Sequence, residues 1–260
     1  MKVALLLPGQ IREAKETFPY LKGRILDRFK PDVFISTWSP SETIKNSLHA
    51  ETHYLTDTLS TDTLASLYSP VTIKMDKFES PGISRIVDKA WSFESYGPQT
   101  GEINPVSVFL MWYKIRQSFL LLEEHENLTG ERYDYIIKGR MDIKIHNDIP
   151  LDPNLKTICI PPGFDWKGGV NDIFAWGGRE AMEHYSKLYE MMEEYIFSGV
   201  YFHPETLLKH HILNSEFNLS RPMVKVSLRG KRVWEIESTG ERMDKKNYEY
   251  IQSKGNIWDT

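Results

Sequence analysis

Short apolar runs that stop abruptly alternate along this chain with longer stretches in which apolar residues recur every three or four positions. Val3–Leu7 is such a run, closed at once by Pro8 and Gly9, and it predicts a buried parallel strand. Leu21, Ile25 and Phe29 carry helical spacing within residues 13–29. "PDVFISTW" (31–38) predicts a second strand and "SPVTIKM" (69–75) a third, with a polar, Ser- and Thr-rich stretch of helix and loops at 39–65 between them. Residues 79–105 contain several Gly and Pro together with Trp91, Phe93 and Tyr96, and predict a long loop over the sheet. Val108, Met111, Trp112, Ile115, Phe119 and Leu122 form one apolar stripe and predict a helix over 106–125.

Next comes 133–138, a strand apolar on both faces except at its ends. Further strands are expected at 156–160 and 172–176, helices at 179–195 and 204–213, and a last strand at 221–228. Pro204 suits the first turn of its helix. No internal repeat or linker interrupts the pattern. One domain over 1–230 is expected, followed by a charged tail at 231–260 that is mobile or wraps the body. Strands alternating with helices predict a single α/β domain: a mainly parallel, Rossmann-like sheet with helices on both faces. Ligands of such sheets bind beyond the carboxyl ends of the strands.

A length of 260 residues suits one large domain, and 40% hydrophobic with 26% charged residues is ordinary globular composition. The net charge of -4 gives no broad nucleic-acid surface, so no nucleic-acid partner is expected. Cys159 is the single cysteine, which rules out an internal disulfide and suits a reducing compartment. The opening apolar run is too short for a signal-peptide core, and no stretch approaches the length of a membrane span. The sequons at Asn127 and Asn218 carry little weight without a secretory signal, and a cytoplasmic location is expected.

Three clusters fall at expected strand ends. In "PGQIR", Gly9 permits close approach of a ligand, while Gln10 and Arg12 could contact a base or a phosphate; the alternative is a plain strand-to-helix turn. In "KGRMD" (138–142), Lys138 precedes Arg140 and Asp142, which share a face if the chain is extended. Asp142 could hold a divalent cation bound to a diphosphate, and Arg140 could neutralise the same diphosphate. The alternative there is an internal Arg–Asp ion pair. In "NDIFAWGG" (171–178), Asp172 opens an apolar strand, and the two glycines allow close approach of a ligand or a sharp turn into the next helix. Glu205 stands in the first turn of its helix near His203, where the helix dipole favours an ionised carboxylate. The pairs Lys225/Arg229 and Lys231/Arg232 are either solvated or able to close over phosphates.

"VALLLPGQIR", "PDVFISTW", the helix "MWYKI" with Lys114 leading into "YDYIIKGRMDI", then "NDIFAWGGREAMEHYSKLY" and "HPETLLKHHI", together resemble small soluble glycosyltransferases of bacterial polysaccharide and lipopolysaccharide synthesis (WavE-like) and of large DNA viruses. The resemblance covers residues 1 to about 215 and leaves out the tail. It implies a GT-A fold, in which a central strand ends in an Asp-X-Asp motif that holds a metal on the diphosphate of a nucleotide sugar. It therefore implies a nucleotide-sugar-dependent hexosyl- or pentosyltransferase with a glycan or glycolipid acceptor, and a divalent cation, Mn or Mg. Gly9, Gln10, Arg12, Lys114, Lys138, Arg140 and Asp142 are the expected nucleotide-sugar residues, with Asp142 the expected metal ligand. This sequence reads Arg140-Met141-Asp142 at the motif, with one acid instead of two. Either Arg140 replaces part of the metal's charge, or Asp142 shares a metal with a histidine from 203–211. Glu205 is the first candidate for general base and Asp172 the second.

Overall fold

The computed structural model describes residues 1–39, 60–77, 90 and 105–228. Trp91, Phe93 and Tyr96, most of the 39–65 stretch, Arg229, and the Lys231/Arg232 pair with the rest of the tail lie outside the described residues.

The apolar runs become the centre of a seven-stranded sheet of order β3-β2-β1-β4-β7-β6-β8. Its strands are β1 (Val3–Gly9), β2 (Asp32–Trp38), β3 (Thr72–Asp76), β4 (Tyr135–Lys138), β6 (Thr157–Cys159), β7 (Ala175–Gly178) and β8 (Asn218–Ser220). β1 to β4 run parallel, and β7 is antiparallel to both β4 and β6. A separate antiparallel pair joins β5 (Ile143–Ile145) to β9 (Val226–Leu228).

Alternation along β1 explains why its run is unbroken. Ala4 and Leu6 enter one core, with Trp112, Ile115 and Phe119. Val3, Leu5 and Leu7 enter the other, with Leu21, Ile25 and Tyr68. A strand covered on both faces needs apolar residues at every position. The first core lies under α4 (Pro105–Thr129), α5 (Arg179–Ser186), α6 (Leu188–Phe197) and α7 (Pro204–Leu213). The second lies under α1 (Ala14–Leu21), α2 (Asp27–Phe29), α3 (Thr61–Tyr68) and the small sheet. None of the described helices is long and apolar enough to cross a membrane.

Two expected helices differ in detail. The stretch 13–29 holds Pro19 inside α1, and a π-helical turn, Lys22–Leu26, separates α1 from α2. Proline cannot donate its backbone N–H to the helix ladder, and wide turns of this kind accommodate such a break. The single helix expected over 179–195 is two helices that meet at Lys187, whose ψ of -5° opens the turn.

α5 and α7 are locked by a pair of histidines. The rings of His184 and His211 stack at 3.9 Å, and each Nε2 donates to the other's backbone carbonyl. Tyr195 completes the lock on Nδ1 of His211 at 2.9 Å. Burial, then the neighbouring His184, pushes the His211 ring down to about 4. An unfolded histidine titrates near 6.5, so the unfolded chain binds more protons between those values. The His211 share of stability is therefore expected to be level above about pH 6.5 and to fall as pH drops towards about 4. Urea midpoints measured across this range should show the slope, and His184→Gln should reduce it; an unchanged slope would place its origin elsewhere.

Candidate functional site

β1 and β4 are neighbours in the sheet, but the chain visits β2 and β3 on the far side of β1 before returning to form β4. Their carboxyl ends thus flank a topological switch point, where such sheets open a crevice.

β1 stops at Gly9, whose φ of +100° lies in a region that other residues tolerate poorly. Arg12 follows with φ 45° and reaches across to β4, where its Nη1 donates to Asp142 Oδ2 at 2.7 Å. Its Nε lies 3.3 Å from Oε1 of Gln10. On the other side, Arg140 grips the same carboxylate with two parallel bonds, Nε to Oδ1 and Nη2 to Oδ2, both 2.8 Å. The pairing does not come from strand alternation as expected. β4 ends at Lys138, and residues 139–142 form a turn held by the Gly139 N–H on Leu6 O and the Thr17 hydroxyl on Met141 O. Asp142 is buried, with its side chain 3% exposed, whereas those of Arg12 and Arg140 are 29% and 20% exposed. Burial alone would push its carboxyl up; Arg140 and Arg12 together outweigh this and hold it well below the usual carboxylate range.

The internal Arg–Asp ion pair is therefore present, with Arg12 as a second cation. Three N–H donors converge on the two Asp142 oxygens, and a divalent cation bound there would lie against two guanidinium groups. The residues around Asp142 do not fit the expected metal. The histidines of 203–211 offer it no shared ligand either: His203 meets Glu205, His210 meets Asn214 and His211 stacks on His184.

Lys138 is turned inward. Its Nζ donates to the backbone oxygens of Asp172 at 2.5 Å and Ile173 at 3.1 Å, and burial pushes it down to about 7. Lys114 is fully buried beneath the ends of β2 and β3. It donates to Thr37 O at 2.7 Å and Asp76 Oδ2 at 2.6 Å, under the Trp38 ring at 3.9 Å. Thr37 is the ladder partner of Gly9, so Lys114 stands one strand away from the arginine cluster.

The loop from β6 to β7 carries Asp172. Asp165 anchors it, accepting from Arg221 and from the Asn171 backbone, and Asn171 Oδ1 caps the Ile173 N–H at 2.7 Å. Burial pushes the Asp172 carboxyl up, with Lys138 and then Arg140 opposing. The same loop packs on the start of α7. A Cβ on Gly169 would meet Glu205 backbone atoms at 2.1 Å and 2.4 Å, so only glycine allows this approach. Gly177 and Gly178 serve a similar purpose. A Cβ on either would strike the backbone oxygen of Thr157 or Leu155, so the close approach there is by the chain itself. The turn straight into α5 is as expected.

Glu205 does occupy the first turn of its helix, but its expected ionisation is reversed. It is buried at 5% exposure, and burial followed by the Asp172 charge pushes its carboxyl well above the usual range. The helix dipole contributes at most about 2 kcal/mol, less than the several kcal/mol that charge burial costs. His203 Nδ1 lies 2.6 Å from Glu205 Oε2, off the line of a well-formed hydrogen bond, and burial pushes this ring down to about 3. The short separation and the shifts agree if a neutral carboxyl meets a neutral ring, and that is the state burial favours.

Tyr68 escaped the sequence reading. Its hydroxyl is buried without a hydrogen-bond partner, and burial, then the Asp142 charge, push it well above the usual phenol range. Nothing in the pattern of α3 marks it, because Asp142 is far away in sequence. A groove of about 500 Å³ lined by Glu123, Glu126, Leu128 and Arg179 lies by the start of β4, where the Arg179 N–H donates to Asp134 O, whereas Asp142 follows the end of that strand. Arg179 there is already engaged by Glu126 and Glu183.

No protein-family model matches the sequence, and no curated protein matches it.

Proposed function

We propose that this chain is a glycosyltransferase that moves a sugar from a nucleoside diphosphate to a glycan or glycolipid hydroxyl. The observation that carries the reading is the meeting of Arg12 and Arg140 on Asp142 at the β1–β4 switch point, with Asp172 and Glu205 beyond Lys138. Guanidinium groups fixed in advance suit a departing diphosphate, and preorganised charge of this kind is usually the largest catalytic contribution. A GT-A arrangement belongs to the same reading, with Arg140-Met141-Asp142 at the end of β4 in the position of the Asp-X-Asp motif.

The base in this reading is Asp172 in preference to Glu205. Its raised carboxyl makes the carboxylate a stronger base than an ordinary aspartate's, and Lys138 and Arg140 oppose the burial that raises it. Glu205 has only the neutral His203 beside it. A second reading, a nucleotide- or carbohydrate-binding protein without turnover, draws support from the occupied oxygens of Asp142 and the neutral state of Glu205.

The test is to incubate the full chain with UDP- and GDP-sugars, with and without glycan acceptors, and follow nucleotide release and thermal stability. Release above the spontaneous rate is expected. Stabilisation without release would favour the second reading, and neither response would remove both.

A further inference from the structure

We infer that the crevice between β1 and β4 binds the diphosphate group as a free anion, with Arg12 and Arg140 in the role a divalent cation would take and Asp142 as their anchor. The ligand class rests on the transferase reading; the metal-free mode rests on the side-chain geometry.

Four observations carry it. Asp142 receives three short N–H bonds from two arginines, so its charge is spent on holding them. The carboxylate is buried, whereas both arginine side chains keep part of their surface exposed. The anchor is therefore inside and the cations face outward, the order an anion site requires. Two guanidinium charges converge on one carboxylate, and planar forks of N–H donors match phosphate oxygens in pairs. Finally, the Tyr68 hydroxyl is buried near Asp142 without a partner, although buried polar groups are rarely left so. A hydroxyl can donate to a phosphate oxygen or to a carboxylate oxygen that shifts when the arginines turn to a ligand.

The arrangement also explains why one acid suffices. A motif that holds a divalent cation gains from a second carboxylate. A motif that orients guanidinium groups is served by one, and a second would neutralise the charge meant for the ligand.

The test uses the intact chain and calorimetric titration with sodium pyrophosphate, UDP and GDP. One series contains excess EDTA, and a parallel one contains manganese, with free anion corrected for metal binding in solution. Dissociation constants within about threefold of each other are expected in the two series. Binding that requires manganese, or tightens more than about tenfold with it, would overturn the metal-free mode and leave the transferase reading standing. Absence of binding in both series would overturn the two together. Arg140→Lys keeps a positive charge beside Asp142 but loses the planar fork, and should weaken metal-free binding by at least about tenfold. Unchanged binding by this variant, with an unchanged melting temperature, would put the anion elsewhere and overturn the assignment.

Discussion

Replacing Asp142 by asparagine should lower the free energy of unfolding by about 3–5 kcal/mol, the usual result of removing one partner from a buried ion pair. The carboxylate is buried and two arginines bond to it, so the variant leaves both guanidinium groups facing a neutral amide. Their partial exposure lets water compensate in part, which favours the lower end of that range. The wild-type chain should show the same dependence on pH. The folded carboxyl is held below its ordinary value. Its contribution is therefore complete above the unfolded value of about 3.9 and is lost as pH falls through the folded one. Urea titration of the purified variant checks the first statement. A loss below about 1 kcal/mol would mean that the arginines find other partners and that Asp142 is no anchor. A strand-end carboxylate made neutral costs little stability unless it closes a buried ion pair with Arg140; that pair is present, and Arg12 adds a second cation to it.

Asp172→Asn is expected to reduce kcat by about 100- to 10,000-fold, the range associated with a positioned acid–base group. Binding of the nucleoside diphosphate should change little, because Lys138 is held by the backbone oxygens at 172 and 173, which this variant keeps. Activity should also be lost as pH falls through the raised value of the Asp172 carboxyl, since the base acts in its ionised form. That acid limb should therefore lie above the range of an ordinary aspartate. Glu205→Gln is the comparison. A neutral amide in place of a neutral carboxyl should leave most of the turnover intact. A large loss in Glu205→Gln with near-normal rates in Asp172→Asn would return the role to Glu205.

Much of the frame can be read from the chain because β1 and β4 are continuous apolar runs with abrupt polar or glycine ends. α4 is similarly legible, since its stripe from Val108 to Leu122 matches the buried face. β5 and β8 are not legible, whereas the equally short β6 and β9 fall inside the expected strands at 156–160 and 221–228. The reversed direction of β7 depends on which strand it meets, and pairing with β4 is a long-range event. The site divides in the same way. Arg140 and Asp142 are two residues apart, and their pairing was open as an alternative from the start. Arg12 joins them across 130 positions, with no local signal. Pro204 and Glu205 announce a helix start correctly, but not that Gly169 brings a loop against it and seals the acid from water.

The register of the small sheet extends this last point to how the molecule opens. Ile143, directly after Asp142, pairs with Leu228, so the anchor of the arginines is fastened to a ladder that, among the described residues, has three residues on each side. So short a two-stranded ladder has little stability of its own, and such units open in local fluctuations long before the whole domain unfolds. The main sheet holds Arg12 through β1, whereas Asp142 is shared with this weaker unit. Opening the ladder would loosen the carboxylate while the arginine on the β1 side stayed in place. A bound anion that draws the two arginines together would make that opening less frequent. If the crevice takes the anion proposed above, its occupancy and order in the strand Val226–Leu228 become two readings of one equilibrium.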